Sequence, residues 1–290
     1  MMLRSLLFVP GNKANMLEKA LAVSPDALVP DMEDSVPAAE KTNARETIRS
    51  FLPRLAAAGR PVIPRVNALG TEWLEPDLEA VVGTHVLGVS IGKVRNAGDI
   101  AAISKLIGVL ERGAGVRVGT LRLVPWIETA EAIVNVAAIC RASERIAAVA
   151  FGGEDFANDL GIERLEDESQ VAYARQALCV AARAARVQAL DTPYFKLRNP
   201  DGLRDNALKA KNIGFKGKFA IHPEQIDILN DCFSPSAQEV AHAERVVAAF
   251  EEAERRGRGS TSLDGWVIDV PVVKRARALL ELARRARAER

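Results

Sequence analysis

Two acidic residues set the chemical possibilities of this 290-residue chain: Glu128 in WIETAE and Asp155 in FGGEDF, each just after a short apolar run. Other polar clusters follow apolar runs in PDMEDS, PRVN, GKVRN, LDTP and IHPEQ. For any single acid the ordinary role is helix capping, since Asp and Thr favour helix starts. Their joint occurrence suggests more. If Glu128 and Asp155 end neighbouring strands, they face one space, and two adjacent carboxylates repel unless a cation neutralises them. Mg²⁺ suits this pair, with Mn²⁺ as the alternative, because it takes oxygen ligands and is held by one or two carboxylates, leaving positions for water and substrate. Zn²⁺ does not: His85, His222 and His242 and the isolated Cys140, Cys179 and Cys232 supply no tetrahedral set. The histidines read as structural or exposed. Gly152 and Gly153 let a ligand or another backbone approach beside Asp155, or simply turn the chain into the next helix. Arg65, in PRVN, either grips a substrate carboxylate in a forked geometry or pairs structurally with Asp31, Glu33 or Asp34.

These residues need elements that bring them together. Eight runs rich in Val, Ile and Leu recur along the chain: Arg4 to Val9, Ala27 to Met32, Val62 to Val66, Val86 to Ile91, Leu121 to Ile127, Ile146 to Phe151, Val187 to Leu190 and Phe219 to Ile221. Such continuous apolar runs are the texture of buried parallel strands. Between them lie Ala-rich stretches with apolar residues at helical spacing, such as TAEAIVNVAAICRAS and SQVAYARQALCVAARAAR. Eight strand–helix units predict an α/β fold, a (β/α)8 TIM barrel, over residues 1–230. A doubly wound open sheet would carry a Gly-rich nucleotide loop after its first strand, where this chain has PGNKAN. Residues 231–290 read as a C-terminal helical extension, with Gly257 to Gly265 as a linker. Its last helix is either a lid or subunit-contacting segment, or a packing helix with a solvated Arg-rich face. In a parallel barrel the active site lies at the carboxyl ends of the strands, where the polar clusters fall.

Composition narrows the partners. With 39 basic and 38 acidic residues the net charge is +1, which gives no field to recruit nucleic acid or an acidic membrane. At 48% hydrophobic and 27% charged, the chain can bury a full core. Three separated cysteines without CxxC spacing read as reduced, mostly buried thiols. The opening MMLRSLLFVPGN is too short and broken for a signal-peptide core or a spanning helix, so the cytoplasm is the expected compartment.

The strand ends resemble the citrate lyase β-subunit-like branch of the HpcH/HpaI aldolase superfamily, which includes malyl-CoA and citramalyl-CoA lyases. The resemblance runs through RSLLFVPGN, DMEDSV, PRVN, GKV, IETAEAI, FGGEDFANDLG, GFKGKFAIHPEQ and WVIDVPVVKRA, in that order. It implies a Mg²⁺-dependent carbon–carbon lyase or Claisen-type condensing enzyme acting on an acyl-CoA thioester and a small keto acid. It implies that Glu128 and Asp155 hold the metal and that Arg65 binds substrate near the reacting carbonyl. Asp269 of the late VIDVP motif would be the catalytic acid or base, supplied to a neighbouring subunit of a homotrimer or hexamer. From its own surroundings Asp269 reads only as a strand end or helix cap. Glu33 and Asp34 would line the pocket, and Arg4 and Lys13 would lie near the CoA entrance.

Three departures sit close to the expected mouth: Trp126 for a smaller aliphatic residue, Ile91 before GKV, and Pro64 before Arg65. They bear on the size of the substrate pocket. Other readings are a citrate lyase subunit acting on an acyl-carrier-protein thioester, a malyl-CoA-type thioesterase, and an inactive CoA-ester-binding barrel.

Overall fold

The computed structural model describes residues 2–165 and 167–288. The chain divides into two compact units, residues 3–229 and residues 230 onward. In the first, the order is β1 (Ser5–Pro10), α1 (Ala14–Ala20), β2 (Ala27–Asp31), α2 (Lys41–Ala57), β3 (Arg65–Val66), α3 (Leu74–Val81), β4 (Gly88–Ile91) and α4 (Ala97–Gly113). It continues with β5 (Arg122–Ile127), α5 (Ala130–Val134), α6 (Val136–Ile139), β6 (Ala148–Phe151), α7 (Gly153–Asp159), α8 (Ala172–Ala185), β7 (Gln188–Asp191), α9 (Pro200–Ile213), β8 (Gly217–Ala220) and α10 (Gln225–Phe233). The eight strands pair in sequence order, all parallel, and β8 pairs with β1 to close the barrel.

All eight expected runs become strands. β3 keeps only two ladder residues because Pro61 and Pro64 bring no N–H to pair; Val62 makes an isolated bridge to Leu28. The helix expected over TAEAIVNVAAICRAS is broken at Asn135 into α5 and α6.

Side chains alternate in and out along each strand, so every second residue faces the barrel axis. Phe8, Val29, Ile63, Trp126, Ala150, Leu190 and Phe219 pack as a middle layer of the interior. Trp126 stacks with Phe8 and Phe219, ring centroids 5.7 Å and 4.4 Å away, and its indole N–H donates to Ser90 Oγ at 2.7 Å. Two residues further along the strands, the same parity aims Asp31, Arg65, Gly92, Glu128, Gly152, Thr192 and Ile221 at the carboxyl-end mouth. The aromatic layer is therefore the floor on which the polar layer stands.

In the second unit, α11 (Ala237–Arg255) starts with a capping box between Ser236 and Glu239. Then β9 (Thr261–Leu263) and β10 (Trp266–Ile268) form an antiparallel hairpin, followed by α12 (Val270–Ala288). The stretch expected as a linker is thus an ordered hairpin. Asp264 and Gly265 take positive φ of 52° and 82° in its two-residue turn, the backbone that Asp-Gly favours. Ala243, Val246, Phe250, Ile268, Val273 and Ala276 form this unit's own core.

Candidate active site

Local hydrogen bonding decides which acids cap and which are left for other work. Thr129, not Glu128, caps α5, accepting from Ala132 N at 3.1 Å. Asp31 accepts from Glu33 N, Ser35 N and Ser35 Oγ, closing the DMEDS turn. That leaves Glu33, Asp34, Glu128 and Asp155 facing the mouth. A cavity of about 340 Å³ opens there, lined by Asp34, Arg65, Glu128, Glu154 and Asp155 among the polar groups and by Phe8, Trp126, Phe195 and Ile221 among the apolar ones. A second, of about 300 Å³, is lined by Glu33, Asp34, Lys41, Asn67, Trp73 and Lys93.

Glu128 is buried, 3% exposed, and its one hydrogen bond among the described residues is from Lys93 N to Oε2 at 2.6 Å. Burial first, then the charges of Glu33 and Asp155, pushes its carboxyl up to about 8. Glu33 is also raised, by burial and by Asp34, and its Oε2 is buried without a hydrogen-bond partner, although Arg65 Nη1 lies 3.1 Å away. Asp155 makes no hydrogen bond or ion pair among the described residues. The backbone makes room for these groups. A Cβ on Gly152 would stand 2.5 Å from Glu128 Oε1, and one on Gly92 would stand 2.9 Å from Glu33 Oε1 and 3.2 Å from Glu128 Oε2. The space beside Gly152 is filled by Glu128, and the space beside Gly153 by Arg164.

Arg65 makes the ion pairs that the sequence offered as one of its two roles. Nε and Nη2 fork onto Asp31 at 2.7 Å each, and Nη1 donates to Asp34 at 3.2 Å. Burial works against its charge, but Asp31 and then Glu33 and Asp34 hold the guanidinium firmly protonated. Its Cζ lies 4.5 Å from the centre of the Phe8 ring. Three hydrogen bonds use three of the five guanidinium donors, Nη1 also lies 3.1 Å from Glu33 Oε2, and the residue lines the cavity.

Several contributors carried no sequence signal as site residues. Lys93 adopts φ 59°, a left-handed backbone, which aims its N–H at Glu128 while Nζ donates to Glu33 at 2.9 Å and Asp34 at 3.3 Å. The Gly-Lys pair after β4 is the one local hint. Lys41 Nζ, buried on α2, donates to Met32 O, Glu33 O and Asn67 Oδ1 and so pins the DMEDS loop.

Other expected residues lie elsewhere. Arg4 is a correction: it precedes β1 at the amino end of the barrel, opposite the mouth, because its guanidinium forks onto Asp26 with bonds of 2.8 and 2.7 Å. Lys13 is exposed in the turn after β1, on the mouth side. Asp269 belongs to the second unit, where it lies between β10 and α12 and accepts from Val272 N at 3.2 Å. Trp266, Val267 and Val270 around it are exposed apolar residues.

The residues at the mouth fit a divalent cation on chemical grounds. A carboxyl raised by burial and by two neighbouring acids, an unbonded second acid and a glycine-lined cradle form an oxygen-rich site short of positive charge. Among the described residues no cluster of three or more His, Cys, Asp or Glu suited to a metal is present, and Mg²⁺ can be held by one or two carboxylates completed by water and substrate. Among the described residues no helix is long and apolar enough to cross a membrane. Cys140, Cys179 and Cys232 are free and buried.

Residues 4–223 match the sequence pattern of the HpcH/HpaI aldolase/citrate lyase family. The chain is 40% identical over 280 residues to the citrate lyase subunit beta of Escherichia coli K12, covering 97% of this chain and 93% of that protein. It is 36% identical over 281 residues to a (3S)-malyl-CoA thioesterase of Cereibacter sphaeroides, covering 97% and 94%. The crystal structure of the Mycobacterium tuberculosis protein CitE, in complex with magnesium, acetoacetate and coenzyme A, superposes with a TM-score of 0.80 at 28% identity, covering 96% of this chain and 97% of that one.

Proposed function

The chain belongs to the HpcH/HpaI aldolase/citrate lyase family, and on that premise we propose that it is a Mg²⁺-dependent carbon–carbon lyase cleaving or forming a β-hydroxyacyl-CoA thioester such as malyl-CoA or citramalyl-CoA. The observation that carries this reading is Glu128: a buried carboxyl pushed up to about 8 at the mouth of a barrel, beside Glu33 and Asp155. A structure buries such a group at a cost, and a cation bound by Glu128 and Asp155 offsets it. Magnesium, keto acid and coenzyme A bound to a structurally similar protein support the same ligand set.

Cleavage removes the hydroxyl proton to a base and breaks the bond between the carbon next to the thioester carbonyl and the carbon bearing the hydroxyl, leaving an enolate and a keto acid. When bound, Mg²⁺ would supply Lewis-acid polarisation of the oxygens of the keto-acid portion. Arg65 stays charged and is held immobile by Asp31, so its remaining N–H donors stand ready for the oxygen on which enolate charge develops. Phe8, Trp126 and Phe195 give that oxygen an apolar surround with less water. Asp269 would deliver a proton to the enolate carbon in cleavage and remove one from the acyl methyl in condensation. Lys13 on the rim suits a CoA phosphate.

Asp269 would act in a neighbouring copy of a trimer or hexamer. The exposed Trp266, Val267 and Val270 are apolar surface suited to that burial. Two of the similar proteins supply the competing reactions: a citrate lyase subunit, which would need a carrier-protein thioester, and a thioesterase, which would direct water at the acyl carbon.

A panel of malyl-, citramalyl- and β-methylmalyl-CoA, incubated with Mg²⁺ or with EDTA and analysed for both products, tests the reading. The expected result is keto acid and acyl-CoA in equal amounts, lost with EDTA. Free CoA without keto acid would replace the lyase by a thioesterase. Turnover unchanged in Glu128→Ala would refute the metal mechanism.

A further inference from the structure

Outside the mouth, the most unusual feature of the barrel is a chain of six alternating charges. Lys218 Nζ on β8 donates to Asp191 Oδ2 on β7 at 2.5 Å, and Arg175 Nη2 on α8 donates to the same oxygen at 2.9 Å. Arg175 Nη1 then pairs with Glu168 Oε2, and Glu168 Oε1 with Arg164 Nη2. Arg164 Nη1 ends the chain on Glu154 Oε1 at 2.7 Å. Lys218 and Asp191 are fully buried, and Glu168 and Arg175 nearly so. Burying four charges of this kind gives weak net stabilisation, because desolvation consumes most of the attraction. Glu168 also holds a left-handed φ of 57°, a conformation unfavourable for a residue with a side chain. A costly, strained and neutral network is better explained by what it holds still.

What it holds is the backbone before Asp155. Arg164 fills the space beside Gly153, where a Cβ would stand 3.2 Å from its Cζ, and it bonds Glu154, the residue next to Asp155. The helix carrying Asp155, α7, has only seven residues. Its far end is tied separately, by Ala130 N donating to Asp159 Oδ2 at 2.7 Å. That second tie lands two residues after Glu128. The two proposed metal ligands are thus braced against each other at one end of α7 and against β7 and β8 at the other.

We propose that Arg164 is a positioning residue that sets Asp155 for divalent-cation binding, anchored through Glu168 and Arg175 to the buried Asp191–Lys218 pair. This rests on the reading that Glu128 and Asp155 hold the cation. Partners of this kind behind a ligand affect metal affinity 10–100-fold.

The test is Mn²⁺ binding to the full-length protein, followed by electron paramagnetic resonance well below the unfolding temperature, for wild type, Arg164→Ala, Arg164→Lys and Asp155→Asn. Positioning predicts roughly 10–100-fold weaker binding in both Arg164 variants, Lys included, since an ammonium cannot span Glu154 and Glu168 as a guanidinium does. The sign is informative: deleting a positive charge near a cation would by simple electrostatics leave affinity equal or higher. Should Arg164→Ala not fold, Arg164→Lys keeps the charge and decides the matter alone. Binding equal to or tighter than wild type in the Arg164 variants, with Mn²⁺ lost in Asp155→Asn, would overturn the positioning role and leave the cation site standing. Wild-type binding in Asp155→Asn would overturn the site itself.

Discussion

Two buried glutamates stand at opposite ends of this barrel, and their surroundings are opposites. Glu111, at the carboxyl end of α4 near the amino ends of the strands, accepts both arms of Arg145 at 2.9 and 2.7 Å and the N–H groups of Gly119 and Leu121. Burial opposes its charge, but these partners hold its carboxyl down at about 2. Glu128, at the mouth, receives one backbone N–H and has two other acids for neighbours, which leave it at about 8. The fold can supply a glutamate with all the positive charge it needs. Where it withholds that charge, the proposed cation would supply it.

The largest expected effect falls on catalysis. Glu128→Ala should lower turnover about 10³-fold or more, several kcal/mol of transition-state stabilisation, in steady-state assays with saturating Mg²⁺. Glu111→Gln should leave turnover per folded molecule unchanged but destabilise the barrel by about 3–5 kcal/mol in urea titrations, because Arg145 is then buried with a lost counter-charge. Equal activity losses in the two variants would dissolve the distinction between the ends.

Smaller effects have opposite signs at the two sites. Glu128→Gln should stabilise the metal-free protein by roughly 1 kcal/mol near pH 8, since it removes a buried charge that lacks a partner. A thermal melt with EDTA checks this. The pH dependence follows the same logic. A group whose folded pKa is raised makes the folded state bind the extra proton, so Glu128 stabilises the metal-free protein at low pH and loses that contribution as pH rises from its ordinary value toward about 8. Glu111, whose folded pKa is depressed, stabilises above its ordinary value and loses that contribution as pH falls toward about 2. Melts of wild type and of each Gln variant across pH separate the two.

Much of the frame was legible before the structure because it depends on local pattern. Eight apolar runs gave eight strands, and parity along them explains why Asp31, Arg65 and Glu128 share the mouth. The misreadings have local causes too. Pro61 and Pro64 shorten β3, Asn135 divides a helix, and Asp264-Gly265 makes a hairpin of a stretch that composition presented as a linker. Arg4 sits in a motif that runs into the site, yet a side chain before a strand belongs to the opposite end from one after it. Glu128 stood out through its joint occurrence with Asp155 after neighbouring apolar runs, and the structure gives the capping role to Thr129 beside it. Lys41 and Arg164 did not, since each acts by joining separate segments, Lys41 the DMEDS loop to Asn67 and Arg164 Glu154 to Glu168, and nothing in EKT or IERL marks those contacts; for Lys93 the Gly-Lys pair was the one hint.

The claim that the uncompensated mouth is a cation site is tested most directly by calorimetric titration of Mg²⁺ into metal-free wild type and Glu128→Gln, at pH 7, in buffers of different ionisation enthalpy. Wild type should bind one ion per site with heats that change with the buffer, as Glu128 gives up its proton, and Glu128→Gln should show neither. Equal binding and equal buffer dependence in the two proteins would contradict the account.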